Sequence, residues 1–246
     1  MGGSPFACSE RFSPLGTTES GADPLDFRLF VHDVALVRKG GEEVPFELDE
    51  DDAWQRDGVA LLDFEDGTGT CNTGSSAVNT SLRGKARAYD DYTGVAFTVG
   101  VPEQLNHLDA ATAPTPFNAP GMWWSWQGGF KYMKVDLASE ANPEGFFFHL
   151  GATACAGTPK SGFACEYSNL ARVELEASSP DTVVLDTAAL YANVDLEQVV
   201  DNETDFIAGC MAFPGDPECP AMFESLGLGF EGAEPPSSEQ ALFSLK

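Results

Sequence analysis

Positive charge is scarce in this chain: 13 Lys and Arg stand against 39 Asp and Glu, a net of −26 over 246 residues. So negative a surface repels polyanions, which excludes nucleic acid as a partner and argues against anionic membrane surfaces. Histidine is scarcer still, with three copies at His32, His107 and His149. The sequence has no apolar run of roughly 20 residues, so no membrane insertion is expected. Hydrolase signatures are missing: there is no Gly-x-Ser-x-Gly elbow and no His-Glu-x-x-His pair. No Cys-x-x-Cys occurs, which removes zinc-knuckle and thioredoxin-type motifs, and no Cys-x-x-Cys-His, which removes covalently attached haem. Met1-Gly2-Gly3-Ser4 is not a signal peptide and reads as the start left by a trimmed leader.

What is present is a globular composition, 43% hydrophobic, sufficient for a core. About ten short runs look like strands separated by Gly, Pro, Ser and Asn turns, which points to an all-β fold: an antiparallel sandwich or barrel with a few short helices. Phe27 to Val37, Val44 to Leu48, Thr93 to Val99, Phe130 to Leu137, Gly145 to Gly151 and Arg172 to Glu176 are the clearest strands. Thr182 to Asp186 is expected to pair with the last of these. Short helices are expected at Thr187 to Tyr191 and Pro220 to Leu226. Nothing divides the chain, so residues 1–246 read as one domain, with 1–24 as an N-terminal extension and 232–246 as a C-terminal tail.

The six cysteines, Cys8, Cys71, Cys155, Cys165, Cys210 and Cys219, all lie in loop-like sequence. Their even number points to disulfides and an oxidising compartment. Many pairings are open to six cysteines. Proximity in sequence favours Cys155–Cys165 and Cys210–Cys219, leaving Cys8 with Cys71.

Two features carry chemistry. The run Met122-Trp123-Trp124-Ser125-Trp126 holds three of the four tryptophans. On a strand Met122, Trp124 and Trp126 would share a face. A tryptophan-rich core strand accounts for the run without any function. The second feature is that His32 and His149 lie inside apolar strands. A lone buried imidazole is usually satisfied by a carbonyl, but two on neighbouring strands would make a metal clamp. On one strand face His32 would accompany Phe30, Val34 and Leu36. His107 falls in a loop and carries less weight as a ligand, and Met122 offers a thioether. Asp63, Glu65 and Asp66 leave calcium as a secondary reading, although the EF-hand spacing is not met.

Taken together, Asp26 to Val34, the run Asp63-Phe64-Glu65-Asp66-Gly67-Thr68-Gly69, Phe97 to Pro102 with Asn106-His107, Met122 to Lys131, Phe148 to Gly151 and Cys210 to Cys219 resemble the MbnP-like proteins, also called the four-Cys half of the metallo-mystery pair. The resemblance runs through nearly the whole chain in consistent order. It implies a periplasmic or secreted copper-binding protein with a role in copper acquisition or homeostasis. It further implies that a tryptophan is oxidised to kynurenine by a partner di-haem peroxidase of the MbnH type. On that likeness the chain is not an enzyme but the substrate of the oxidation. His32 and His149 would be the copper ligands, probed alongside His107 and Met122, and Cu(I) the expected state. The modified ring would be Trp126, then Trp124, then Trp123. The rival expectation is a structural or adhesive β-sandwich, with the histidines and tryptophans serving only as packing.

Overall fold

The computed structural model describes residues 5–71, 74–176, 182–199, 207–237 and 239–246. The chain enters through β1 (Phe12–Leu15) into β2 (Ser20–Arg38), whose 19 residues are dense in Phe, Leu and Val. Gly40 and Gly41, at φ of 105° and 87°, make the turn into β3 (Glu43–Pro45). Backbone of that sign suits glycine because a Cβ clashes there. Short strands follow: β4 (Glu47–Leu48), β5 (Gln55–Arg56), β6 (Val59–Asp63) and β7 (Gly84–Lys85). Next come β8 (Tyr92–Val99), α1 (Glu103–Asn106), a 3-10 turn at Pro120–Met122 and β9 (Trp123–Ser125). Then β10 (Gly129–Ala138) and β11 (Phe146–Gly151) form a hairpin. A second hairpin, β12 (Thr153–Thr158) with β13 (Gly162–Tyr167), leads to β14 (Ala171–Glu176). The chain ends through β15 (Val183–Leu185), α2 (Thr187–Tyr191), β16 (Gly209–Cys210), α3 (Cys219–Ser225) and β17 (Phe243–Leu245).

The fold is all-β, as expected, with a main sheet ordered β14-β8-β2-β10-β11-β16 and three two-stranded sheets beside it. The sheets do not close into a barrel among the described residues. One pair departs from the antiparallel rule: β11 and β16 run parallel. No helix among the described residues is long and apolar enough to cross a membrane.

β2 organises the main sheet. Leu29 pairs with both Met133 of β10 and Leu62 of β6, so those strands flank it on opposite edges. His32 likewise pairs with Val59 of β6 and Thr98 of β8. One edge of β2 is therefore shared, β10 taking its first half and β8 its second. A register shift follows between His32 and Ala35, where Asp33 adopts φ 51° and the other edge of β2 passes from β6 to β3. A bulge of this kind reverses which face the following side chains take. Val34 and Leu36 consequently line the same cavity as Phe27, Leu29 and Val31, on the face opposite Phe30. The expectation that His32 shares a face with Val34 and Leu36 is thus corrected.

The N-terminal extension contributes to the sheet, since Phe12 and Leu15 are buried and β2 begins at Ser20; residues 1–4 lie outside the described residues. Two further expectations change. β14 pairs with β8, not with the 182–186 segment, which pairs with β17 in the tail. The tryptophan run is not one strand: Met122 ends a 3-10 turn, β9 stops at Ser125, and Trp126 falls in the turn to β10. Both helix expectations hold, at Thr187–Tyr191 and, shifted by one residue, at Cys219–Ser225. Asp186 caps the first by accepting from Ala188 N.

All three disulfides form in the expected pairing: Cys8–Cys71, Cys155–Cys165 and Cys210–Cys219. They clip loops of very different length, with sequence separations of 63, 10 and 9. A longer loop loses more freedom when clipped, so by the loop-entropy account the first bond contributes about 4 kcal/mol and each short one about 3. Replacing Cys8 and Cys71 together by Ser should lower the urea-unfolding free energy by about 4 kcal/mol, more than the same change at Cys210 and Cys219. Equal losses in the two double variants would contradict this ranking.

Candidate metal centre

Strand register builds the site. Across β2, β10 and β11, Arg28 pairs with Lys134 and Lys134 with His149. In the next row but one, Asp26 pairs with Asp136. Directly opposed residues, and residues two apart, project from one face. Asp26, Arg28, Lys134, Asp136 and His149 therefore form a single polar patch, and all five are buried.

Such a patch survives burial only if every charge is paired. Arg28 Nε donates to Asp26 Oδ1 at 2.8 Å, and its Nη2 reaches Oδ2 of the same carboxylate. Lys134 Nζ bridges Asp26 Oδ2 and Asp136 Oδ2, the latter at 3.1 Å. His149 Nε2 meets Asp136 Oδ1 at 2.9 Å. Burial pushes the Asp26 carboxyl up, but Arg28 and Lys134 outweigh it and hold it below the ordinary carboxylate range. Burial also pushes the His149 imidazole below its usual range, against the pull of Asp136.

The consequence falls on the far side of that ring. A neutral imidazole that donates from Nε2 to a carboxylate carries its lone pair on Nδ1. His149 Nδ1 is buried and has no hydrogen-bond partner among the described residues. A carboxylate on one ring nitrogen with a bare lone pair on the other is how metal-binding histidines are held. Around it the Phe147 ring lies 5.7 Å away, centroid to centroid. Two residues on, Gly151 receives the edge of Trp124: a Cβ there would come within 2.5 Å of Cζ3. Trp124 packs on Phe213 at 5.3 Å, and the indole Nε1 atoms of Trp123 and Trp124 are also buried without partners. Lys131, paired with Gly151, donates to Gly121 O at 3.1 Å. Burial, then repulsion from Lys134, lowers its ammonium to about 8.

The other candidate residues lie elsewhere. His32 meets Gly100 O through Nδ1 at 2.9 Å, and burial lowers its pKa, leaving Nε2 as the lone-pair nitrogen. His149 sits in the row of Arg28, four positions from His32 along β2 and with β10 between. At roughly 3.3 Å per residue and 4.8 Å per strand, the two imidazoles stand roughly 13 Å apart along the sheet and 10 Å across it. The expected clamp from neighbouring strands is therefore not formed. His107 meets Trp126 O through Nδ1 at 2.8 Å and stacks on Phe163 at 4.7 Å. Met122 is fully buried in the core, while Trp126 is 46% exposed. The Asp63–Asp66 carboxylates serve their own loop: Glu65 accepts from Gly67 N and Ser75 N, and Asp66 from Thr68 N. Burial raises Asp63 to about 7. Three tight clusters of ligand atoms occur among the described residues, around His107, Glu65 and Asp216, but each contains both sulfurs of a disulfide.

Sequence reasoning passed over Asp26, Arg28, Lys134 and Asp136. The available signal was the spacing Asp-x-Arg and Lys-x-Asp within strands apolar on the other face.

Comparison with known proteins gives a consistent answer. A family model described as MbnP matches residues 1–212. The solved structure of MbnP from Methylosinus trichosporium is 28% identical, covers 98% of this chain and 93% of its own, and superposes with a TM-score of 0.82. No curated protein matches.

Two predictions test the buried patch. Lys134→Met should cost about 3–5 kcal/mol in chemical unfolding, because it leaves two buried carboxylates sharing one guanidinium. A loss below 1 kcal/mol would show that the ammonium is dispensable. The second concerns pH. A histidine with a depressed folded pKa binds its proton more readily when unfolded, so stability is full above the ordinary imidazole value of 6.5 and falls as pH drops below it. The fall in Tm between about pH 7.5 and pH 5.5 should be smaller in His149→Gln than in the parent. Identical falls would mean that His149 is not held neutral.

Proposed function

The chain belongs to the MbnP family, and from that premise we propose that it is an exported copper-binding protein whose Trp124 is oxidised to kynurenine by a partner di-haem peroxidase. The observation that carries the reading is the bare Nδ1 of His149, oriented by Asp136 and adjoined by the strand position on which Trp124 packs. These residues fit copper: a neutral imidazole in a dry, aromatic setting suits Cu(I), which prefers soft or imidazole donors over hard oxygen. When bound, copper would be held by His149 Nδ1, and the site would store or pass on the ion. The three disulfides support an oxidising, periplasmic or extracellular location.

The protein's own residues have defined tasks in this reading. Asp136 fixes the His149 tautomer, and Lys134 fixes Asp136. Trp124 supplies the ring to be opened. An indole has no lone pair free for a metal, whereas the kynurenine it becomes carries an aryl amine and a ketone. The atoms balance with two equivalents of peroxide. Two oxygens add across the C2–C3 bond, two waters leave, and hydrolysis releases the formyl carbon as formate. The oxidant comes from outside, since this sequence has no haem-attachment motif. Trp124 displaces Trp126 at the head of the order drawn from sequence, because Trp126 lies exposed in a turn.

Co-expression with a di-haem peroxidase should add about 4 Da, a covalent change to the side chain, to a peptide containing Trp124. The modified protein should bind one Cu(I) by chelator competition. His149→Ala should abolish that binding, and Trp124→Phe should abolish both the mass change and the binding. Copper bound equally well by His149→Ala but lost in His32→Ala would move the site to β2. Absence of mass change and of copper in every form would return the protein to a structural sandwich.

A further inference from the structure

The face of β2 turned away from the histidines borders a cavity of about 840 Å³. Phe27, Leu29, Val31, Val34 and Leu36 line it from β2, and Val183 and Leu185 line it from β15, which pairs with β17 of the distant C-terminus. That two-stranded sheet is pinned to β8 by the edge-on contact of Phe243 with Phe97, at 5.3 Å between centroids. Protein cores are packed to crystal density, so a space of this size is not a packing remainder. It falls within the roughly 300–1,000 Å³ of small-molecule pockets, and its walls are overwhelmingly apolar, as theirs are.

The lining also specifies charge. None of its described residues is Lys, Arg or His. The polar residues of the lining are Thr80, Ser81, Thr182 and the buried Thr187, all hydroxyl-bearing, together with Asp186, which caps α2. A fatty-acid carboxylate or a phosphate would find no cation there and would enter a protein of net charge −26. A hydroxyl or carbonyl head group finds hydrogen-bonding hydroxyls. We propose that this cavity binds a neutral lipophilic small molecule, its apolar body against the half-buried Val34, Leu62, Phe64 and Val95 and a single uncharged head group at the threonine and serine hydroxyls. The proposal is independent of the copper reading, because the cavity and the His149 patch lie on opposite faces of β2.

The test uses the full chain and the neutral dye Nile red. Saturable binding at one site is expected, with displacement by 1-dodecanol at least ten-fold more effective than by dodecanoate at about pH 8. Leu62 and Val95, half-buried lining residues, can each be enlarged. Leu62→Trp and Val95→Trp should each weaken dye binding at least ten-fold while far-UV circular dichroism stays unchanged. A diazirine-bearing long-chain alcohol should label peptides covering residues 27–36, 80–99 or 182–187. That labelling decides the matter if neither variant folds. The proposal is overturned by non-saturable dye binding, by unchanged affinity in both folded variants, by labelling elsewhere, or by dodecanoate competing as well as dodecanol.

Discussion

One ammonium holds two carboxylates apart and together. Lys134 lies between Asp26 and Asp136, and on it rest the guanidinium of Arg28 at one end and the imidazole of His149 at the other. Remove it and two buried anions face each other with one remaining cation. That cost is why the patch has a defined geometry: each member has one arrangement in which its charge is met. The register of β2, β10 and β11 follows, because a slip of one residue would drive all five polar groups to the apolar face. The same constraint reaches His149 Nδ1. Asp136 is held by Lys134, so it can hold Nε2, and the lone pair is left to point elsewhere.

A buried lone pair without a partner is a liability of about 1–3 kcal/mol for a structure with no use for it. Here it is kept on a ring that lies against Phe147, two positions from the glycine that receives Trp124, and among the described residues the buried indole N–H groups of Trp123 and Trp124 are also unmet. Polar exceptions of this kind concentrate where proteins do chemistry. A phenylalanine at position 149 would fill the same row with no unmet atom and no hydrogen bond to Asp136.

How much of this was legible beforehand depends on the range of the interaction. Local signals read well: the strands from Phe27, Thr93, Phe130, Gly145 and Arg172, the helix at Thr187, and the cysteine pairing, where two of the bonds have sequence separations of 10 and 9. The family resemblance carried the copper reading, and chemistry alone would not have reached it. What failed was parity and adjacency. The reversal at Asp33 has no marker, since an aspartate at φ 51° looks like any other strand residue in sequence. The insertion of β10 between β2 and β11 separates His32 from His149, and no local pattern announces strand order. Arg28 and Lys134 carried no local sign of burial. Gly121 lies against the Arg28 guanidinium, and that cover is some 90 positions from Arg28 in the chain.

The distribution of charge completes the physical picture. Inside, cations and anions are matched almost one to one around Lys134. Outside, four arginines are taken up by acids: Arg11 by Asp23, Arg38 by Glu42 and Asp91, Arg56 by Glu50 and Asp52, Arg172 by Asp33 and Glu43. Exposed pairs of this kind add little stability, but they leave no cluster of free cations among these arginines. The excess of acid therefore sets the field beyond the surface. That field gathers cations and basic surfaces and turns away anions, over a range of about 10 Å at 0.1 M salt. Buried charge here fixes geometry and surface charge selects company, and the two sets share no residue.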